Sequence, residues 1–262
     1  MVASKGLANI AGMAQRKIRF TIAYDGTDYH GWQVQPGFKT VQETLNLAAS
    51  SLIGRKTCVH GASRTDAGVH ALGQVGLIEA DTPIPTENFS RALNDRLPQD
   101  IAILDAEDAP WRLDVIGDVK RKLYRYTIYT GKVRSVLDIR YCWHLPVHLD
   151  VEAMNTAAQL LVGTHDFRSF ASAADRREST VRTIFRCEAT RCAGDKQDWI
   201  SIEVEGDGFL YNMVRNIAGT LVDIGHGRWE PRMIGAIMEA KDRTAAGQLA
   251  PASGLCLVWI HY

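Results

Sequence analysis

The stretch that most constrains this fold is residues 61–71, which read G-A-S-R-T-D-A-G-V-H-A. It places small residues and polar side chains between two segments with the composition of β-strands, residues 57–60 and 73–78. Small residues allow another backbone or a ligand to approach closely. The sequence therefore predicts a loop that leaves a β-sheet, where rigid scaffolds commonly carry chemistry.

The polar side chains of this loop allow three interpretations. If the loop is extended, Arg64 and Asp66 lie on the same side, and the cation would lower the pKa of Asp66. An ionised, oriented carboxylate suits a nucleophile or a general base. The second interpretation is an ordinary surface turn with an Arg–Asp pair. The third, a hydrolase triad of Ser63, Asp66 and His70, is disfavoured because the G-x-S-x-G elbow is absent.

Periodicity along the rest of the chain predicts two α+β halves without an internal repeat or a low-complexity linker. Further strands are predicted over residues 17–24, 101–104, 122–130, 182–191, 199–204 and 255–262. Helices are predicted over residues 40–54, 86–96, 151–161, 210–224 and 233–240. The first of these helices has a capping box formed by Thr40 and Glu43.

Composition excludes several classes of protein. The chain has 262 residues and a formal net charge of zero, so composition alone gives no support to a nucleic-acid partner. Five cysteines without C-x-x-C spacing argue against a disulfide framework and a zinc cage. No apolar run approaches the ~20 residues that span a bilayer. Residues 1–15 are a poor signal or transit peptide, and we expect a disordered tail on a cytoplasmic protein.

Charge is nevertheless uneven along the chain. Six basic residues and no acidic residue occur between positions 120 and 134, whereas seven acidic residues occur between positions 95 and 118. Such a basic strand either tracks phosphates or is simply a solvated strand face.

Several separated motifs resemble the tRNA pseudouridine synthase A family. They are Y-D-G-T-D-Y-H-G-W-Q (24–33), R-T-D-A-G-V-H-A (64–71), K-L-Y-R-Y (122–126), G-T-H-D-F-R-S-F (163–170), F-L-Y-N-M-V-R-N-I-A-G (209–219) and A-P-A-S-G-L-C-L-V (250–258). Two positions depart from the family pattern: Ser63 stands where glycine is usual, and Cys256 where an aromatic residue is usual. The resemblance covers nearly the whole chain from residue 17 onward.

This resemblance implies a fold and a reaction. The fold is α+β, with two similar halves, residues 16–113 and 114–262, sharing a mostly antiparallel sheet with the active-site cleft between them. The reaction is isomerisation of uridine to pseudouridine at positions 38, 39 and 40 of the tRNA anticodon stem-loop. Either attack on the sugar carbon or removal of a ribose proton fits the carboxylate. The alternatives are an RNA uracil glycosidase and a non-catalytic RNA-binding protein of the same fold.

The resemblance also assigns residues. Asp66 is the catalytic carboxylate, Tyr124 packs against the target uridine, and Leu255 lines the pocket under the base. Arg64 and Arg215 position the carboxylate and a phosphate, and Arg215 pairs with the aspartate.

The remaining expectations concern partners and cofactors. Candidates for contact with tRNA are Lys122, Arg125, Arg168, Arg176 and Arg177. The family works as a homodimer and implies neither a metal nor any other cofactor. The G-D-G-F-L-Y stretch at residues 206–211 lacks the third glycine of a dinucleotide-binding fingerprint, and a P-loop is absent.

Overall fold

The structure is a computed structural model that describes residues 15–262. The tail predicted over residues 1–15 lies outside the described residues, apart from Gln15. In the part of the chain that is described, none of the helices combines the length and the apolarity needed to cross a lipid bilayer.

Residues 15–262 form ten strands and five α-helices. The strands are β1 (Arg16–Tyr24), β2 (His60–Gly61), β3 (His70–Ala80), β4 (Ile101–Ala109), β5 (Arg121–Tyr129), β6 (Trp143–His144), β7 (Gly163–Asp166), β8 (Val181–Arg191), β9 (Trp199–Gly206) and β10 (Leu255–His261). The helices are α1 (Val41–Ile53), α2 (Thr86–Asn94), α3 (Val151–Gln159), α4 (Met213–Gly225) and α5 (Met233–Ala240).

All ten strands belong to one sheet, in the order β4-β1-β3-β10-β5-β9-β8-β7, with β2 on β3 and β6 on β5. The pairs β3–β10 and β5–β6 are parallel, and the other pairs in this described sheet are antiparallel. The predicted α+β fold with a mostly antiparallel sheet is confirmed.

The C-terminal strand β10 lies in the middle of this sheet. It pairs in parallel with the start of β3, where Cys256 is opposite His70, and antiparallel with β5, where Leu255 is opposite Tyr126. This register brings the end of the 61–71 loop, the start of β10 and the middle of β5 side by side. Residues far apart in sequence therefore meet at one place.

The predicted helix over residues 40–54 is confirmed as α1, and its ends have the expected chemistry. The Thr40 hydroxyl accepts a hydrogen bond from the Glu43 N–H, which satisfies one of the open donors of the first turn. Gly54 ends the helix with φ of +79°, a conformation that glycine adopts readily. The apolar face of α1, including Val41 and Leu45, is buried in the core.

The strand predicted over residues 57–60 is mostly wrong, because β2 contains only His60 and Gly61. Side chains of α1 take the backbone groups that a strand would need. Asn46 accepts from the Val59 N–H at 2.7 Å, and Gln42 donates to the Val59 carbonyl at 2.8 Å. Local capping of this kind competes with sheet pairing.

Two other boundaries differ from the predictions. Helix α4 begins at Met213 instead of residue 210, because Asn212 has a left-handed backbone with φ of 62° that a helix cannot contain. Strand β4 extends to Ala109 instead of ending at residue 104, since it pairs with β1 along its whole length. The short strands β6 and β7 were not predicted.

Candidate active site

A cleft in the described chain has a volume of about 920 Å³. Its walls include residues 61–67 of the loop between β2 and β3, Tyr124 and Leu255 from β5 and β10, and residues 209–214 before and at the start of α4. Parts of the segments before α1 and after β7 complete the walls. Most of the residues predicted to form the site therefore line one cavity.

Asp66 and Arg215 form an ion pair at this cleft, with 3.8 Å between Asp66 Oδ2 and Arg215 Nη1. The arginine is held in place by two further hydrogen bonds. Its Nε donates to the Ala250 carbonyl at 2.8 Å, and its Nη1 donates to Asn212 Oδ1 at 3.1 Å. The guanidinium is thus fixed by groups other than the carboxylate that it faces.

The prediction that a neighbouring cation lowers the pKa of Asp66 is wrong in direction. Burial raises the pKa of Asp66, and Arg215 opposes this shift without cancelling it. Arg64, which we expected beside the carboxylate, has an exposed side chain at the cleft wall. In the described part of the chain, the cation paired with Asp66 is Arg215. The result is a carboxylate that is more basic than an exposed aspartate.

The loop that carries Asp66 rests on the segment between β1 and α1. The Trp32 N–H donates to the Thr65 carbonyl at 3.0 Å, and the Gly68 N–H donates to the Tyr29 carbonyl at 3.2 Å. Gly31 has φ of +86°, and a Cβ atom there would lie 2.7 Å from the Thr65 carbonyl oxygen. Only glycine permits this close backbone packing, so the 24–33 motif serves to position the Asp66 loop.

Tyr124 is buried at the cleft, and its hydroxyl lies 3.0 Å from the Ser63 hydroxyl. The Phe209 ring packs edge-on against it, with 5.2 Å between ring centroids. Tyr126 is on the same face of β5, but its hydroxyl donates to the Pro251 carbonyl at 2.8 Å and it does not line the cleft. Geometry therefore separates two tyrosines that periodicity alone could not distinguish.

Leu255 is buried and lines the same cavity. It is the first residue of β10 and is paired with Tyr126 on β5. Cys256, which stands where the family pattern has an aromatic residue, follows Leu255 in β10. Burial raises the pKa of its thiol to about 11. The thiol is therefore protonated at neutral pH.

Comparisons with known proteins agree with this geometry. The sequence profile described as tRNA pseudouridine synthase matches residues 21–116 and 157–262. The chain belongs to the tRNA pseudouridine synthase family. A protein of Ruminiclostridium cellulolyticum called tRNA pseudouridine synthase A is 46% identical over 247 residues, which cover 94% of this chain and 100% of that protein. Proteins of the same name from Geotalea uraniireducens and Caldicellulosiruptor saccharolyticus are 44% and 43% identical with equal coverage.

Membership makes this chain an isomerase with a pseudouridine synthase fold. The residues that family motifs assigned are close together: Asp66 and Arg215 form an ion pair, and Tyr124 and Leu255 line the cleft beside them. Their individual roles in this chain remain predictions.

The five candidates for contact with RNA do not share one surface. Lys122, Arg176 and Arg177 line the cleft. Arg125 points to the opposite face of β5, where its guanidinium forms an ion pair with Glu203 at 2.7 Å. The exposed Arg168 follows β7 and is not part of the cleft wall.

The hydrolase triad of Ser63, Asp66 and His70 is not formed in the described structure, since each of these side chains has another partner. His70 accepts a hydrogen bond from the Gly26 N–H at 3.1 Å through Nδ1, so its Nε2 donates to the Arg140 carbonyl at 2.9 Å. Burial lowers the pKa of His70, although the Asp25 carboxylate opposes the shift. A neutral His70 thus anchors the end of the loop.

Three contributors to the site were not predicted. Ser63 contacts Tyr124, buried Gln74 holds the Ser63 backbone with hydrogen bonds of 2.6 and 3.2 Å, and Asn212 orients Arg215. The sequence shows that serine replaces the usual glycine at position 63, but it does not show that Ser63 contacts Tyr124 on β5. Within residues 15–262, no group of three or more His, Cys, Asp or Glu side chains is arranged to hold a metal ion.

Proposed function

We propose that this enzyme isomerises uridine to pseudouridine at positions 38, 39 and 40 of the anticodon stem-loop of tRNA, with Asp66 as the catalytic carboxylate. Support for tRNA as the substrate comes from the family and from relatives named tRNA pseudouridine synthase A. Support for the three positions comes from the resemblance of the motifs to that family.

The observation that carries the proposal is the ion pair of Asp66, which lines the cleft, with Arg215 behind it. The cleft offers this carboxylate beside an aromatic ring, Tyr124, and an apolar side chain, Leu255. A carboxylate with a raised pKa is a better nucleophile and a better base than a fully solvated one. An aromatic and apolar wall suits a planar base that has left its stack.

The reaction requires a base-flipped uridine, at a cost of a few kcal/mol for unstacking. Asp66 either attacks C1′ of the ribose or removes a neighbouring ribose proton, and the bond between C1′ and N1 breaks. The freed uracil turns within the cleft, and its C5 forms the new bond to C1′. In the first route the ester bond between Asp66 and C1′ breaks as this bond forms, and in the second route Asp66 returns the proton to the ribose. C5 then loses its proton and N1 gains one, so the atoms of the product equal those of the substrate.

The same cleft explains why the base is not released. A cleaved uracil must stay beside the ribose until C5 reaches C1′, and water must not reach C1′ first. The walls formed by Tyr124 and Leu255 serve this purpose by excluding water.

The organisation of the chain is part of the proposal. Asp66 comes from the first half, residues 16–113, whereas Tyr124, Arg215 and Leu255 come from the second half, residues 114–262, so that the cleft lies between the halves. We further propose a homodimeric, cytoplasmic enzyme, as the family resemblance implies.

The test is incubation of the purified protein with unmodified tRNA transcripts, followed by mapping of pseudouridine. We expect modification at positions 38 to 40, unchanged RNA mass and no free uracil. Stoichiometric uracil release with abasic RNA would overturn the proposal in favour of a glycosidase. Tight RNA binding without any chemical change would instead favour a non-catalytic RNA-binding protein.

A further inference from the structure

Lys122 is a cation that the protein largely withdraws from water without giving it a counter-charge. Its Nζ donates to the Ala62 carbonyl at 2.9 Å, and its side chain lines the cleft. In the described part of the chain it forms no ion pair within 4.0 Å, whereas Arg121 and Arg125 on the other face of β5 are paired with Glu205 and Glu203. A desolvated charge without a partner opposes folding, so such a group usually has a function.

A second cation lies near Lys122. Arg177 comes from the loop after β7 and also lines the cleft. Its Nη1 donates to Asp175 Oδ2 at 3.1 Å and to the Phe209 carbonyl at 3.0 Å. Asp175 is itself anchored, because it accepts from the Tyr211 N–H at 2.7 Å. These bonds hold the guanidinium at the cleft. The Asp175 carboxylate compensates part of its positive charge.

We propose that Lys122 and Arg177 form an anion subsite that binds a backbone phosphate of the RNA next to the target uridine. Lys122 and Tyr124 are two residues apart on one face of β5, roughly 7 Å along the strand. A nucleotide whose base packs on Tyr124 therefore has its own phosphate within reach of Lys122. This inference rests on the proposed function, because it takes the ligand of the cleft to be RNA.

The groups around Lys122 reinforce its need for an anion. Across the sheet it is opposite Ile260 and Gly206, which carry no charge. On its own strand, Tyr124 is a neutral phenol because burial raises its pKa. The charged group that acts on Lys122 from the facing loop is Arg177, a second cation.

The acidic groups nearby are already paired. Asp66, on the same loop as Ala62, pairs with Arg215, and Asp175 pairs with Arg177. Burial, with a smaller contribution from Arg177, lowers the pKa of Lys122 to about 8. A phosphate would favour the ammonium form and restore a pKa near the ordinary value of about 10.4.

A consequence is that RNA binding above pH 8 is accompanied by the uptake of a proton. With pKa values of about 8 in the free protein and about 10.4 in the complex, affinity should fall about tenfold between pH 7 and pH 9. The sign follows because the free protein loses its Lys122 charge in this range and must regain it to bind.

The experiment measures the dissociation constant of an unmodified anticodon stem-loop RNA at pH 7 and pH 9 for the wild type and Lys122→Arg. We expect the tenfold loss in the wild type and at most a twofold loss in Lys122→Arg, since arginine stays charged in both conditions. Both proteins experience the same titration of the RNA. An equal loss in both would overturn the inference.

Two further variants and one calorimetric measurement complete the test. Lys122→Met should weaken binding at pH 7 and reduce the salt slope by about one unit, whereas Arg121→Met, on the other face, should change neither. Calorimetry in two buffers of different ionisation heat should detect uptake of up to one proton by the wild type at pH 9. No proton uptake would contradict the subsite, even if Lys122→Met failed to fold.

Failure of this inference is distinguishable from failure of the proposed function. Pseudouridine formation in the same RNA without proton uptake would defeat only the phosphate subsite. Proton uptake without pseudouridine formation would defeat the proposed reaction and leave the anion subsite supported.

Discussion

Burial and Arg215 act on the Asp66 carboxyl in opposite directions, and burial is the larger effect. The carboxylate is therefore more basic than an exposed aspartate, while the guanidinium limits the rise of its pKa. Because Arg215 is fixed by Ala250 and Asn212, it supplies its charge without having to reorganise when the substrate binds.

Replacing Arg215 by glutamine should shift the acid limb of the pH–rate profile upward. Loss of the cation leaves burial unopposed, so the pKa of Asp66 rises further and protonation inactivates it at a higher pH. We expect kcat/KM at pH 7 to fall about tenfold or more. The control is Arg215→Lys, which keeps the charge and should move the limb less. An acid limb that stays in place in Arg215→Gln would show that the two groups are not coupled.

The hydrogen bond between Ser63 and Tyr124 can be tested with a double-mutant cycle. Ser63→Ala and Tyr124→Phe each remove one partner, and the double variant should be no worse than either alone. We expect a coupling energy of about 0.5–1.5 kcal/mol in kcat, typical of one hydrogen bond. Strictly additive effects on kcat would mean that this bond does not orient the ring.

At the scale of the element, the Asp66 loop owes its position to the segment between β1 and α1. Gly31 is the point of closest approach, because a side chain there would clash with the backbone of the loop. The 24–33 motif therefore acts through the loop that it supports.

Gly31→Ala should reduce kcat at least tenfold by displacing the loop that carries Asp66. Gly37→Ala is a matched control: Gly37 has φ of +81°, close to the +86° of Gly31, but a methyl group added there would meet no atom within 4 Å. Both variants incur a similar backbone penalty of about 1 kcal/mol in stability. Equal kcat values in the two variants would contradict the role of this packing.

The elements themselves were largely predictable from periodicity and capping, as α1 with Thr40 and Gly54 shows. The predictions that were wrong concern features that depend on tertiary contacts or on an unusual backbone conformation. The short β2 results from α1 side chains that take the backbone groups of Val59, and the start of α4 depends on the left-handed Asn212. The predicted shift of the Asp66 pKa has the wrong direction, because burial cannot be deduced from a loop sequence. Its ion-pair partner Arg215 is also 149 positions away in the chain.

At the scale of the whole molecule, β10 joins strands β4, β1 and β3 to strands β5, β9, β8 and β7. It pairs with β3 on one side and with β5 on the other, so the last strand of the chain completes both the sheet and the cleft wall. Stability and activity should therefore both depend on this strand.

Leu257→Ala should lower the free energy of unfolding by about 2–5 kcal/mol, because Leu257 is fully buried in β10. The control, Leu104→Ala, changes an exposed leucine of the edge strand β4 and should cost about 0.5 kcal/mol or less. Urea denaturation followed by tryptophan fluorescence provides both values. Similar losses in the two variants would contradict the central position of β10.

The most direct test of the account is Asp66→Asn, assayed for turnover, tRNA binding and thermal stability. The raised pKa of Asp66 means that its ionised form opposes folding at neutral pH, and that this penalty disappears as the pH falls through the folded-state pKa. The uncharged amide should therefore leave the Tm at pH 7 unchanged or higher. We predict loss of detectable pseudouridine formation with tRNA affinity within about tenfold of the wild type, since phosphate contacts dominate binding. A folded, tRNA-binding Asp66→Asn protein that retains more than a few per cent of the wild-type turnover would contradict the catalytic role of this carboxylate.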